Sequence, residues 1–78
     1  MRQKKDRILV TFGAAAEAIA AERACLEEGL PGRLIPLPRE ISAGCGFVWS
    51  APPRQEERLR RLMEQKKIQY EAILRMTV

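Results

Sequence analysis

The chain of 78 residues has no histidine and only two cysteines, Cys25 and Cys45. Without histidine, neither a Ser-His-Asp triad nor a Cys-His pair can form. Two cysteines fall short of the roughly four Cys or His ligands that a structural zinc site uses, so we expect no metal and no other cofactor. One Cys pair at most also excludes a disulfide framework. Because so short a chain has only a modest core, we expect a protein that binds or carries something and is not an enzyme.

Long apolar runs are also missing. No run approaches the roughly 18 residues that would cross a membrane, so no membrane partner is predicted. The basic segment 2–7 precedes a strand-like segment and not a secretory signal, which favours a cytoplasmic protein.

Aromatic residues are few, and all four fall in strand-like segments. The net charge is +4, with bases concentrated in segments 2–7 and 54–67. Nucleic-acid binding usually combines a basic surface with groups that stack on bases. We therefore predict no nucleic-acid partner and interpret segment 54–67 as a solvated helix of mixed charge.

The pattern along the chain predicts one domain over residues 1–78, with a structured core of about 7–76. Short apolar runs predict strands at 8–12, 33–37, 46–50 and 68–76. Alanine-rich and amphipathic segments predict helices at 14–28 and 54–67, the second with Leu59, Leu62 and Met63 on one stripe.

This β-α-β-β-α-β order is typical of the ferredoxin-like sandwich, an α+β fold of two layers. Two right-handed crossovers give an antiparallel sheet of strand order 4-1-3-2 with both helices on one face. Pro36 and Pro38 lack a backbone N–H, which marks the second strand as an edge. In the last strand, alternation predicts one shared face for Tyr70, Ala72, Leu74 and Met76.

The first helix is predicted to bury one side, at about 100° per residue. That side holds Ala15, Ala18, Ile19, Cys25 and Leu26. Glu22 falls in the middle of it, and a buried carboxylate needs a partner, for which Arg33 and Arg39 are candidates. Alternatively, Glu22 lies at the rim of the helix and reaches water. Cys25 is interpreted as a small core residue. The alternative is a resolving thiol that pairs with Cys45.

Cys45 stands between Gly44 and Gly46 in the predicted loop before the third strand. We expect these glycines to adopt positive φ and to leave the sulfur uncrowded and exposed. Backbone amides of such a turn can bind an anion. The pattern predicts a reactive thiol, because a positive environment keeps the sulfur as a thiolate.

Other residues of the same segment are candidates to support that thiolate. Arg39 is the first choice for a cationic neighbour, and Arg33 is the second. Ser42 is expected to cap the turn by a hydrogen bond from its side chain to the backbone.

Three segments together resemble the selenium/sulfur carrier protein-like family of short bacterial domains. They are Ala21-Glu22-Arg23, the run from Gly29 to Ser42, and Gly44-Cys45-Gly46. The most specific part is the pattern R-x-I-P-x-P-R-x-I-S-x-x-C-G, and the similarity extends from about residue 8 to residue 76.

The resemblance implies a carrier that holds sulfur or selenium on Cys45, as a persulfide or selenosulfide, for delivery to a partner enzyme. It implies a donor or acceptor protein, such as a cysteine desulfurase, as the partner. The family is loosely akin to TusA-like sulfur carriers, although the Cys-Pro-x-Pro motif of those carriers is absent here.

A second hypothesis remains open beside the carrier. The loop of Arg33, Arg39 and Gly44–Gly46 would then bind an anionic ligand or partner, with Cys45 incidental. Sheets of this type also pair through their edges, so a homodimer through an exposed edge strand is a further possibility.

Overall fold

Four strands and two helices follow one another in the predicted order. A computed structural model describes residues 5–77, so residues 2–4 of the basic N-terminal segment lie outside the described part. The strands are β1 (Asp6–Thr11), β2 (Arg33–Pro36), β3 (Phe47–Ala51) and β4 (Ala72–Thr77). The helices are α1 (Ala15–Glu28) and α2 (Glu56–Lys66), and a short 3₁₀ turn (Pro53–Gln55) leads into α2.

The strands form one antiparallel sheet of order β2-β3-β1-β4. This is the predicted order, counted from the other edge of the sheet. The α+β class is therefore confirmed, and so is the position of β2 at an edge. The centre of the sheet is β1 and β3, and these two strands are the most buried of the four. Each of them has a neighbouring strand on both sides, whereas β2 and β4 each have one free edge.

Alternate strand positions supply the sheet side of the core. Ile8, Val10, Trp49 and Ala51 lie in one buried cluster with side chains of both helices. The α2 side chains in this cluster are the predicted stripe of Leu59, Leu62 and Met63, each at most 5% exposed. The period of 3.6 residues thus identified the buried face of α2 correctly.

The predicted buried face of α1 is wrong in part. Ala18, Ala21, Ala24 and Cys25 are buried. Ala15 is exposed, and so are Ile19 and Leu26, at 59% and 68%. A line of alanines lets the helix approach the sheet closely, so the larger apolar side chains of α1 are turned outward.

The end of the chain also differs from the prediction. Ile68 does not begin β4 but belongs to the cap that follows α2. Its N–H donates to the carbonyl of Met63 at 2.8 Å, and Lys67 before it is left-handed (φ 57°). The strand starts four residues later, at Ala72. Tyr70 therefore precedes the strand and packs against the core together with Ile73.

Segment 54–67 is confirmed as a charged surface helix. Arg60 pairs with Glu56 and Arg61 pairs with Glu57, each at 2.9 Å and one turn apart. Such exposed pairs contribute little to stability. Within residues 5–77, neither helix has the length and apolar character of a membrane span.

Candidate functional site

Residues 37–46, here called the Cys45 loop, join β2 to β3 at one end of the sheet. The N–H of Leu37 donates to the carbonyl of Gly46 at 2.9 Å, which closes the loop at its base. Inside it, the N–H of Ile41 donates to the carbonyl of Pro38 at 3.1 Å and forms a turn. The loop is thus an ordered excursion between two paired strands.

The far end of the loop is held against Phe12 and Gly13, the two residues that follow β1. The N–H of Cys45 donates to the carbonyl of Phe12 at 3.0 Å. One residue earlier, Gly44 packs on the backbone of Gly13 so closely that a Cβ on Gly44 would collide with the Gly13 carbonyl. Cys45 is therefore fixed just before α1 begins at Ala15.

Glycine is needed at position 44 for that close approach and not for its backbone angles. Within residues 5–77, the glycines with positive φ are Gly29 and Gly32, so the expectation of positive φ at Gly44 and Gly46 is wrong. A Cβ on Gly46 would meet nothing within 4 Å, so that position faces open space. The two glycines flanking the thiol consequently have different roles.

The thiol itself is buried, contrary to the expectation of an open sulfur. Cys45 is 4% exposed and belongs to the apolar core cluster. The physical reason is the alternation of side chains before β3. Cys45 is an even number of residues from Trp49 and Ala51, so its side chain points to the same face of the sheet. Its hydrogen bond to Phe12, the residue directly after β1, extends the antiparallel pairing as far as Cys45. Its neighbours Gly44 and Gly46 are both exposed, so the buried side chain of Cys45 lies directly beneath an exposed stretch of backbone.

The predicted polar residues are spread along β2 and the Cys45 loop. Arg39 lies exposed in the turn of the loop, and Ser42 is also exposed. Arg33 is paired with Ser50 at the other end of β2. Pro36 is three positions further along the strand, a distance of roughly 10 Å. Among the side-chain hydrogen bonds and ion pairs of residues 5–77, none involves Arg33, Arg39 or Ser42.

The charges found beside the loop anchor are carboxylates, which the sequence reasoning missed. Glu71 has its carboxylate oxygen 3.5 Å from the place where a Cβ on Gly13 would lie. Its N–H donates to the carbonyl of Thr11 at 2.7 Å. Glu17 is near the same end of the molecule, where it accepts a bond from the N–H of Gln69 at 2.9 Å. The predicted strand order already placed the start of β4 beside the end of β1. The position of Glu71 near Gly13 could therefore have been predicted from the strand order.

Glu22 is half-buried on α1. No ion pair within residues 5–77 includes it. The predicted pairing with Arg33 or Arg39 is therefore not among the contacts of the structure. The alternative, a carboxylate at the rim of the helix, agrees with its intermediate exposure.

Cys25 is confirmed as a core residue, because its side chain is fully buried. Burial raises the pKa of the Cys25 thiol to about 11, since the low dielectric disfavours the thiolate. Both cysteines are free thiols. Two surface grooves lie elsewhere, along α1 and α2, and none of the predicted site residues lines them.

The chain was compared with curated proteins, solved structures and family models. No curated protein and no solved structure matches the chain. A family model described as "Putative Se/S carrier protein-like" matches residues 7–75, which include both helices and the whole Cys45 loop. The chain therefore belongs to the Se/S carrier protein-like family.

Proposed function

We propose that the chain carries sulfur or selenium on Cys45, as a persulfide or selenosulfide, and delivers it to a partner enzyme. The family match over residues 7–75 supports this proposal. The single observation that carries it is the placement of Cys45, one residue below the surface between two exposed glycines and anchored to the carbonyl of Phe12.

The chemistry requires the sulfur to reach a donor. In the proposed step, the Cys45 thiolate attacks the terminal sulfur of a persulfide on a donor protein such as a cysteine desulfurase. A new S–S bond forms on Cys45, and the donor cysteine leaves as a thiolate. The step transfers a neutral sulfur atom, so no external oxidant or reductant is needed.

Because the thiol is buried, this step depends on opening of the Cys45 loop. Opening breaks the hydrogen bond from Cys45 to Phe12 and separates Gly44 from Gly13. Segments that open are usually those with few stabilising contacts. On the other side of Cys45, Gly46 is exposed and already faces open space.

In the open loop we assign supporting roles to the residues predicted from the sequence. Arg39, exposed on the loop itself, is the nearest cation in the sequence and would stabilise the thiolate or the terminal sulfur. Arg33 is the second choice, since it lies at the other end of β2. Ser42 and the backbone amides of Gly44 and Gly46 would donate hydrogen bonds to the same anion.

Two broader assignments accompany the proposal. We infer that both helices cover one face of the sheet, because the core cluster takes alternate residues of β1 and β3 together with side chains of α1 and α2. A partner would then reach Cys45 from the end of the sheet. We also propose the cytoplasm as the compartment, where reducing conditions would keep Cys25 and Cys45 as free thiols.

The anion-binding alternative is less well supported by the geometry. It needs Arg33, Arg39 and Gly44–Gly46 to converge on one ligand. The register instead places Arg33 opposite Ser50, whereas Gly46 adjoins the opposite end of β2. We therefore prefer the carrier.

Sulfur loading tests the proposal directly. The protein is incubated with a cysteine desulfurase and cysteine, and the intact mass is measured. We expect the native chain and Cys25→Ala to gain one sulfur atom, while Cys45→Ala gains none. Cys25→Ala is the matched control, because it removes the other buried thiol. Equal uptake by Cys45→Ala would refute the carrier assignment.

A further inference from the structure

An apolar patch lies on the outer side of α1, away from the Cys45 loop. Ile19 and Leu26 are 59% and 68% exposed, more than any other large apolar side chain of residues 5–77. They are seven residues apart, which is about two turns, so they lie on the same side of the helix. Leaving two branched side chains in water is unfavourable unless another surface covers them.

Two unpaired charges flank this line. At about 100° per residue, Glu22 falls about 50° to one side of the line joining Ile19 and Leu26, and Arg23 falls about 50° to the other side. No ion pair within residues 5–77 involves either residue. Ile19, Glu22, Arg23 and Leu26 together are called the α1 patch.

We propose that the α1 patch is a dimer interface, in which two copies of the chain pack α1 against α1 in parallel. A twofold axis along the helices brings Ile19 onto Ile19 and Leu26 onto Leu26 of the second copy. The same rotation carries the Glu22 side of one helix to the Arg23 side of the other. Each copy therefore supplies the opposite charge that the other lacks, and two identical ion pairs form beside the apolar line.

The charges decide the direction of packing. In an antiparallel pair, the twofold axis is perpendicular to the helices. The Glu22 side of one helix then lies next to the Glu22 side of the other, and the same holds for the Arg23 side. Glu22 would then face Glu22 and Arg23 would face Arg23, and like charges at that distance repel. The parallel arrangement has the same apolar contact without this repulsion.

The α1 patch is also a better interface than an edge of the sheet. β2 has Pro36, which cannot donate a ladder hydrogen bond. On β4, the largest exposed apolar side chain is Leu74, at 37%. One helix pair covers less than the roughly 800 Å² per partner of a standard interface, so the dimer is expected to be weak, with a Kd in the micromolar range or above. The proposal is independent of the carrier function.

Sedimentation equilibrium over a broad concentration range tests the interface. We expect the native chain to dimerise reversibly, and Ile19→Gln or Leu26→Gln to raise the Kd by roughly tenfold or more. Leu74→Gln is the control and should leave the Kd unchanged. A native chain that stays monomeric at all concentrations overturns the proposal, and so does a dimer that only Leu74→Gln weakens.

Charge reversal tests the pairing. Glu22→Arg and Arg23→Glu should each weaken the dimer, because each single change places like charges across the interface. The double variant with both changes should restore dimerisation. Failure of the double variant to dimerise better than either single variant would contradict the proposed ion pairs.

Disulfide formation tests the direction. In a background with Cys25→Ala and Cys45→Ala, Ile19→Cys should crosslink with itself under mild oxidation, because position 19 lies beside the twofold axis. An antiparallel dimer would instead crosslink only in a mixture of Ile19→Cys and Leu26→Cys, and that result would reject the parallel arrangement.

Discussion

At the scale of single residues, access to Cys45 depends on Gly44. A Cβ at position 44 would collide with the carbonyl of Gly13, so Gly44→Ala must displace the end of the Cys45 loop. Overpacking of this kind costs about 1–3 kcal/mol. We expect the displaced loop to expose the sulfur, and alkylation of Cys45 in the folded protein to accelerate by roughly tenfold, since each 1.4 kcal/mol of easier opening is a factor of 10.

The matched control for this variant is Gly46→Ala, on the other side of the same thiol. Its new Cβ meets open space, and its backbone is not left-handed. Its alkylation rate should stay close to that of the native chain. Equal rates for Gly44→Ala and Gly46→Ala would mean that the contact with Gly13 does not restrict access to the sulfur.

Cys25 should make the free energy of unfolding depend on pH in the alkaline range. Its pKa is raised from 9.0 to about 11 by burial. Between these values the folded chain keeps a proton that the unfolded chain has released. The free energy of unfolding therefore falls as pH rises through this window, by at most about 1.4 kcal/mol per pH unit.

Urea unfolding at a series of pH values checks this expectation. The native chain should lose more stability between pH 9.0 and about 11 than Cys25→Ala does, because the variant has no thiol at that position. The difference between the two curves isolates Cys25 from lysine and tyrosine titration. Parallel curves would show that burial of Cys25 does not disfavour its thiolate.

At the scale of elements, the bounds of α1 were predictable but its buried face was not. Gly29 ends the helix in the left-handed conformation, as its position after Glu28 predicts. However, alanines occur on almost every side of α1, so the helix has little amphipathic contrast. Periodicity then favours the larger residues Ile19 and Leu26, whereas close packing on the sheet selects the alanines.

In the connection into β2, the contact between Gly32 and Trp49 should be the one that tolerates an added side-chain atom least. Gly32 has φ 149°, and a Cβ there would lie 2.7 Å from the Trp49 indole and from the carbonyl of Ser50. Trp49 is 1% exposed and has no room to move. We expect Gly32→Ala to lower the free energy of unfolding by about 2–4 kcal/mol, from strain and overpacking together.

Gly13→Ala, in the connection between β1 and α1, is the control variant for Gly32→Ala. Its Cβ would meet only the flexible carboxylate of Glu71, at an ordinary contact distance of 3.5 Å. Chemical denaturation of both variants should show a clear loss of stability for Gly32→Ala and a much smaller change for Gly13→Ala. A reversed order would mean that the packing of Trp49 under Gly32 is not a principal constraint on the fold.

At the scale of the whole molecule, the sheet order followed from local patterns because each crossover has only one favourable hand. The prolines marked β2 as an edge strand, and the order 4-1-3-2 placed β1 and β3 in the centre. The burial of Cys45 was not predicted, because it depends on close packing between two backbone segments that are far apart in the sequence. The contact of Gly44 with Gly13, which fixes the loop directly before Cys45, is not encoded in residue spacing.

The family assignment rests on the family-model match over residues 7–75, and the structure adds a condition to the proposed function. A covered thiol can act as a carrier only if the Cys45 loop opens in solution or on a partner. Opening must break the hydrogen bond of Cys45 to Phe12, the backbone contact of Gly44 with Gly13 and the packing of Cys45 in the core cluster.

The most direct measurement locates the transferred atom on the native chain. After incubation with a cysteine desulfurase and cysteine, the protein is digested without reduction and its peptides are sequenced by tandem mass spectrometry. The account predicts one added sulfur on the peptide that contains Cys45 and none on the peptide that contains Cys25. Sulfur on Cys25 alone, or on neither cysteine, would contradict it.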